Sequence, residues 1–258
     1  MIRSARVGGL AIFLCAIVTA CASPSPVEQL RAEVIERRPH DQTAFTQGLA
    51  LDDGRLYESI GLYGESTLRE VNAATGALIR SIELDPAQFG EGIAVVDDRL
   101  IQLTWREHTA LVYDLADLSA VATFTYDTEG WGLCDDGSRL VMSDGTDQLY
   151  FRDRSTFVLL GAVTVTNAGA RVEGLNELEC VGDQVYANVL SSDTILRIDP
   201  SSGAVTAEID ASGLLSEEEA AGVSVLNGIA YDETDDTFLL TGKLWPALFK
   251  VRFVPESD

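Results

Sequence analysis

Apolar residues recur along this chain in short alternating runs broken by Asp- and Gly-rich turns, the signature of β-hairpins rather than helices. The clearest case is Phe89-Gly90-Glu91-Gly92-Ile93-Ala94-Val95-Val96-Asp97-Asp98-Arg99-Leu100-Ile101-Gln102-Leu103-Thr104-Trp105, two apolar strands about an Asp-Asp turn. The same unit begins at Gln47-Gly48-Leu49-Ala50, Trp131-Gly132-Leu133-Cys134, Asn176-Glu177-Leu178-Glu179 and Asn227-Gly228-Ile229-Ala230. From Gly48 to Leu56, Gly92 to Leu100, Gly132 to Leu140 and Glu177 to Val185 the offset is eight residues; the last copy carries the longer turn Asp232-Glu233-Thr234-Asp235-Asp236. A second strand–turn–strand pattern follows, as in Leu68–Asn72 with Ala77–Ile82 about Gly76, and Ile195–Asp199 with Ala204–Ile209 about Gly203. Copies start about 40–50 residues apart, the size of a four-stranded propeller blade. The pattern predicts an all-β fold: a five-bladed β-propeller of four-stranded antiparallel blades, each with its first strand nearest the axis. Arg31–Arg38 is the extra strand expected to close the ring on the last blade. Leu214–Gly222 is the one helical-looking insert, with Ser216 as its cap and acids in its first turn. The competing architecture, a β-sandwich, does not call for equal repeats.

Residues 1–20 depart from this pattern. Arg3 and Arg6 precede the apolar run Val7–Ala20, which has the length of a signal-peptide core. The run ends Val18-Thr19-Ala20-Cys21, so the stretch reads as a lipobox with Cys21 lipidated, or else as an ordinary signal peptide containing that Cys. Residues 21–30, with Ala22-Ser23-Pro24-Ser25-Pro26, then form a tether, and 31–258 one propeller domain. The expected location is the periplasm or cell envelope, with a lipid anchor as the one membrane attachment. A single domain of the remaining ~230 residues is ordinary for a β-ring, and no pattern demands a partner subunit, so a monomer is expected.

A net charge of -23 argues against nucleic acid or an acidic membrane surface as partner. Lysine occurs only at 243 and 250, which makes Lys243, near aromatic residues, notable. Beyond Cys15 and Cys21, Cys134 and Cys180 remain. An exported protein permits a disulfide between them. They lie two and three residues after equivalent repeat positions, so they face opposite sheet sides. Depending on the sense of the ring, the thiols either meet between adjacent blades or point apart. With His40 and His108 the only histidines and no Cys-x-x-Cys, a zinc site is not expected.

In a propeller, the starts of the inner strands gather round one mouth of the channel. Phe45, Gln47, Phe89, Glu91, Glu129, Trp131, Asn176, Glu177 and Asn227 occupy those starts. Trp105, Asp144, Asn188, Lys243 and Trp245 follow the second strands, where loops cover the same mouth. This set, with Pro39-His40-Asp41, Phe89-Gly90-Glu91-Gly92, Glu129-Gly130-Trp131-Gly132, Ser143-Asp144-Gly145, Leu175-Asn176-Glu177, Tyr186-Ala187-Asn188 and Thr241-Gly242-Lys243, resembles the bacterial and plant glutaminyl cyclase (glutamine cyclotransferase) family, from residue 39 to about 250.

The resemblance implies conversion of N-terminal glutamine into pyroglutamate (5-oxoproline) with release of ammonia, on peptides, proteins or free glutamine. It implies Glu91 as the proton-shuttling acid/base, Lys243 and Asn176 as holders of the amide oxygen, and Gln47 as a substrate contact. Phe45, Phe89, Trp105 and Trp131 become apolar walls. No cofactor is required by that chemistry, though the family resemblance suggests a structural Ca²⁺ in the channel, with ligands that the sequence does not identify. Glu177 and Glu179 read as hydrogen-bonding groups inside the channel, or as facing that cation, and the two histidines as structural or exposed. Leu190 departs from the family's usual Trp, thinning one wall. The rival readings are a non-catalytic propeller that captures peptide N-termini and a Ca²⁺-dependent propeller hydrolase of the lactonase type.

Overall fold

Burial alternates along the third strand of most repeats, and the first two strands of most repeats are nearly continuous in the core, as expected where a sheet is covered on both faces. The computed structural model describes Ile2 and residues 26–256; the rest of the signal segment, the lipidation at Cys21 and residues 21–25 of the tether lie outside the described residues. After β1 (Glu28–Pro39) come three antiparallel four-stranded sheets. The first holds β2 (Thr46–Asp52), β3 (Arg55–Ile60), β4 (Thr67–Val71) and β5 (Leu78–Glu83). The second holds β6 (Gly90–Val96), β7 (Arg99–Thr104), β8 (Thr109–Asp114) and β9 (Ala120–Thr125), and the third β10 (Leu133–Asp135), β11 (Leu140–Ser143), β12 (Gln148–Arg152) and β13 (Leu159–Thr164). A small hairpin, β14 (Thr166–Asn167) and β15 (Ala170–Arg171), then precedes β16 (Leu175–Val181), β17 (Gln184–Val189), β18 (Thr194–Asp199) and β19 (Ala204–Asp210). Helix α1 (Glu217–Ala220) has Ser216 as its N-cap, with a capping box to Glu219. The chain ends with β20 (Leu226–Asp232), β21 (Thr237–Gly242) and β22 (Ala247–Pro255).

The innermost strands pack in a cycle: β2 on β6, β6 on β10, β10 on β16, β16 on β20, and β20 back on β2. β1 closes the cycle by hydrogen bonding antiparallel to β22, from Leu30 opposite Pro255 to Pro39 opposite Ala247. It is longer than the Arg31–Arg38 read from the sequence, because Glu28–Leu30 pair in parallel with Ala207–Ile209 of β19. The end of the segment read as tether is therefore part of a ten-stranded sheet that fuses the fourth and last units. The β14–β15 hairpin was not foreshadowed by the repeat pattern.

Glycine lets the inner strands approach. A Cβ on Gly48 would lie 2.9 Å from Gly92 Cα, one on Gly92 2.7 Å from Gly132 Cα, and one on Gly132 2.1 Å from the Asn176 carbonyl oxygen. In the fourth unit the equivalent position is Glu177, whose carboxyl accepts the N–H groups of Leu49 (3.3 Å) and Ile229 (2.7 Å). Burial, with Glu179 nearby, raises its pKa well above the ordinary carboxylate range. Glu179 accepts the Tyr231 N–H at 3.1 Å, and burial pushes its pKa up to about 8. Cys134 on β10 and Cys180 on β16 form a disulfide, Cα–Cα 5.5 Å, between neighbouring sheets.

His40 fastens the closure. Its Nδ1 meets the Trp245 carbonyl and its Nε2 meets Glu58 Oε1, each at 2.8 Å, while its backbone N–H donates to Pro246 O. Two acceptors call for an imidazolium. Burial alone would lower the His40 pKa, but the Glu58 carboxylate outweighs it and the pKa rises; burial likewise opposes ionisation of Glu58, and His40 outweighs it. His108 is instead an exposed residue bonded to Thr128 O.

A raised histidine pKa contributes stability that is complete below the unfolded value and lost as pH rises through the folded one. The depressed Glu58 contributes stability that is lost as pH falls through its folded value. The pair is therefore fully effective between about pH 4.5 and 6.5. Replacing His40 by Ala strands the buried Glu58 carboxylate, so unfolding in denaturant at pH 6 should show a loss of about 3–5 kcal/mol. The decline of stability above pH 6.5 should flatten; an unchanged midpoint and unchanged pH slope would remove His40 from the closure.

Candidate active site

At one end of the ring, a cavity of about 240 Å³ is lined by Phe45, Gln47, Phe89, Glu91, Trp105, Trp131, Asn176, Leu190 and Lys243. These residues come from the edges of different sheets, and the inner-strand starts bring them together. Glu91 sits on β6 beside Gly92, whose N–H donates to the Trp131 carbonyl at 2.7 Å. Ser143 ties the third and fourth units: its Oγ accepts the Gly132 N–H at 2.7 Å and donates to the Asn176 carbonyl at 2.6 Å. Lys243 is delivered by the turn after β21. Its N–H donates to Val225 O, and the next residue, Leu244, adopts the left-handed φ of 65° while donating to Ala44 O. A non-glycine residue in that conformation costs about 1–2 kcal/mol, which the flanking hydrogen bonds offset.

The polar groups form a sparse set in an apolar frame. Gln47 Nε2 donates to Glu91 Oε1 at 3.3 Å, and Gln47 Oε1 accepts from Asn227 Nδ2 at 3.3 Å. Asn227 also donates to the Thr46 carbonyl at 3.0 Å, so Gln47 is oriented with its amide N–H toward the carboxyl. Among the described residues, the Lys243 ammonium and the Asn176 side-chain amide make no hydrogen bond within the protein and stay available to a ligand. Burial raises the Glu91 pKa well above the ordinary carboxylate range; Lys243 opposes that shift, and the charges of Glu129 and Glu107 add to it. Burial lowers the Lys243 pKa, opposed by Glu91. The Lys243 Nζ stands 5.0 Å from the Phe45 ring centroid, within cation–π range. Phe45, Phe89 and Trp105 meet edge to face, at 6.4 Å and 5.5 Å between successive centroids. Trp131 lies against Gly145, where a Cβ would come within 2.6 Å of the indole.

Not every residue expected at the mouth lines the cavity. Trp245 is buried in the core, donating to Ser224 O and packing on Phe249. Asn188 is buried, with Oδ1 accepting the Gly228 N–H. The Asp144 carboxylate closes its own turn onto Thr146. Leu190, by contrast, is a cavity wall and 40% exposed. Glu129 and Glu107 were not assigned roles by sequence reasoning. Glu107 accepts the Tyr63 hydroxyl at 2.9 Å and the Phe89 N–H at 3.2 Å. The spacing of Glu129 two residues before Trp131 was the available signal for its place beside an indole.

For an axial calcium, the side chains do not form a cage. Among the described residues no three His, Cys, Asp or Glu side chains gather as a ligand set. Both Glu177 oxygens accept N–H groups, leaving Glu179 as the carboxylate with an uncommitted oxygen.

The model of the glutamine cyclotransferase family matches residues 9–253. The chain belongs to the glutamine cyclotransferase family. It is 41% identical over 230 residues to the glutaminyl-peptide cyclotransferase of Arabidopsis thaliana, covering 87% of this chain and 72% of that protein. The crystal structure of Myxococcus xanthus glutaminyl cyclase superposes with a TM-score of 0.81 at 37% identity, covering 90% of this chain and 100% of that one. Within this cyclotransferase, Lys243→Met removes the cation that opposes the upward shift of Glu91. The Glu91 carboxyl should then titrate at still higher pH, readable by NMR of a carboxyl-labelled sample; an unchanged titration would mean that the two groups do not sense each other.

Proposed function

We propose that this chain is a glutaminyl-peptide cyclotransferase, converting N-terminal glutamine of peptides, proteins or the free amino acid into 5-oxoproline. The observation that carries the reading is the gathering of Glu91, Lys243, Asn176 and Gln47 in one aromatic-walled cavity of a chain from this family. The α-amine nitrogen attacks the γ-carboxamide carbon, forming the ring C–N bond. Glu91 accepts the proton released by the amine and delivers it to the departing amide nitrogen, so that the C–N bond breaks and ammonia leaves. Lys243 and Asn176 donate to the carboxamide oxygen as it gains charge. The aromatic walls hold the side chain folded back on its own amine and keep water from competing. Among the described residues Glu91 is the one carboxylate lining the cavity, which favours this chemistry over a metal-centred hydrolase; turnover is expected to persist with chelator.

In the same reading the cyclic packing of the inner strands is a five-bladed propeller with β1 completing the last blade. The protein is a monomer exported to the cell envelope and tethered through Cys21, with any axial calcium serving the fold.

Ammonia release from a Gln-initiated peptide tests the activity. Glu91→Gln should lower kcat by about 10²–10⁴-fold. The kcat/KM profile should fall on its acid side as Glu91 is protonated, at a pH above the ordinary glutamate range, and on its alkaline side as Lys243 loses its proton earlier than a free lysine. Full activity in Glu91→Gln, or no ammonia from any Gln-initiated peptide by folded protein, contradicts the proposal.

A further inference from the structure

We propose that Glu129 is a positioning residue for the cyclisation: one carboxylate oxygen locks both indole walls and keeps their N–H groups out of the cavity. The inference rests on the cyclotransferase reading. Glu129 Oε2 accepts the Trp105 Nε1–H at 2.8 Å and the Trp131 Nε1–H at 3.0 Å. Its Oε1 accepts from Arg106 Nε at 2.9 Å, and the Arg106 guanidinium lies 3.7 Å from the Trp105 ring centroid. Both indoles line the cavity and Glu129 does not. Each ring therefore turns its single polar atom away from the substrate space and presents carbon to it.

This matters for the reaction. An indole N–H free to swing into the cavity would be a donor competing with Lys243 and Asn176 for the carboxamide oxygen, and would hold that oxygen in a geometry unsuited to ring closure. The shared oxygen also couples two separate segments, Trp105 after β7 and Trp131 before β10. The backbone reinforces the link, since the Gly130 N–H donates to Trp105 O at 2.9 Å. Burial opposes ionisation of Glu129, but the indole and Arg106 hydrogen bonds outweigh it and hold its pKa below the ordinary range, so it remains an acceptor.

The test compares Glu129→Leu, Glu129→Asp and Glu129→Gln with the unaltered protein. Glu129→Leu should lower kcat by about 10- to 100-fold, the usual cost of a small misplacement in a cyclising geometry, with KM affected less. Glu129→Gln, which keeps an acceptor oxygen, should retain most of the rate. In a Trp105→Phe/Trp131→Phe background, with no N–H to hold, adding Glu129→Leu should change kcat no further. A Glu129→Leu protein with unaltered kcat, or an equal loss in the indole-free background, overturns the proposal. Glu129→Asp, which draws the carboxylate back by one methylene, serves the same comparison if the Leu protein fails to fold. Tryptophan emission gives an activity-independent reading, because Trp105, Trp131 and the core Trp245 are the chain's three tryptophans. Emission should shift in the Leu or Asp protein and stay near the original in the Gln protein; identical emission in all overturns the clamp. Absence of ammonia from the unaltered protein would contradict the cyclotransferase reading and leave the emission comparison to decide the clamp.

Discussion

The close approach of the inner strands around the axis is the constraint on which the rest depends. Gly48, Gly92 and Gly132 stand where any side chain would collide with the next strand's backbone. The fourth unit breaks the series, and there Glu177 takes hydrogen bonds from β2 and β20. A wider ring would leave those N–H groups unpaired in a buried channel, at about 1–3 kcal/mol each. It would also separate Gln47, Glu91 and Asn176, each of which stands next to one of these axial positions in sequence. The contact that closes the ring thereby sets the spacing of the site.

The site in turn works by contrast. A few polar groups stand in an apolar frame, and burial moves Glu91 and Lys243 toward each other in proton affinity. Two carboxylates close to the site have different environments. Glu91 is buried with one weak amide contact and is pushed up; Glu129 at the rim receives two indoles and a guanidinium and is held down. Environment separates a proton carrier from a permanent acceptor, although the side chains are chemically identical.

Much of this was legible in the sequence because repetition exposes register. The eight-residue hairpin offset placed Glu91 and Trp105 at the two ends of one hairpin, and the equivalent positions of other units supplied Gln47, Trp131 and Asn176. Lys243 stood out in a chain almost without lysine. What was not legible depends on distance between units. The parallel pairing of Glu28–Leu30 with β19, the fastening of His40 to Glu58 and Trp245, and the Glu129 clamp all join residues whose separation no local pattern reports. Trp245 shows the converse: its place after β21 suggested the mouth, yet the left-handed turn at Leu244 precedes it and its ring lies in the core. Strand parity left the Cys134–Cys180 pairing open until the relative facing of adjacent sheets was known.

In the proposed reaction this cavity folds glutamine onto its own amine and excludes water. Mass spectrometry of a Gln-initiated peptide after incubation, beside the same peptide with its α-amine acetylated, tests it most directly. The free-amine peptide should lose one ammonia and the acetylated one should not change. Exchange of the amide for a carboxylic acid in either peptide would show that water reaches the carboxamide carbon, and would contradict that reaction.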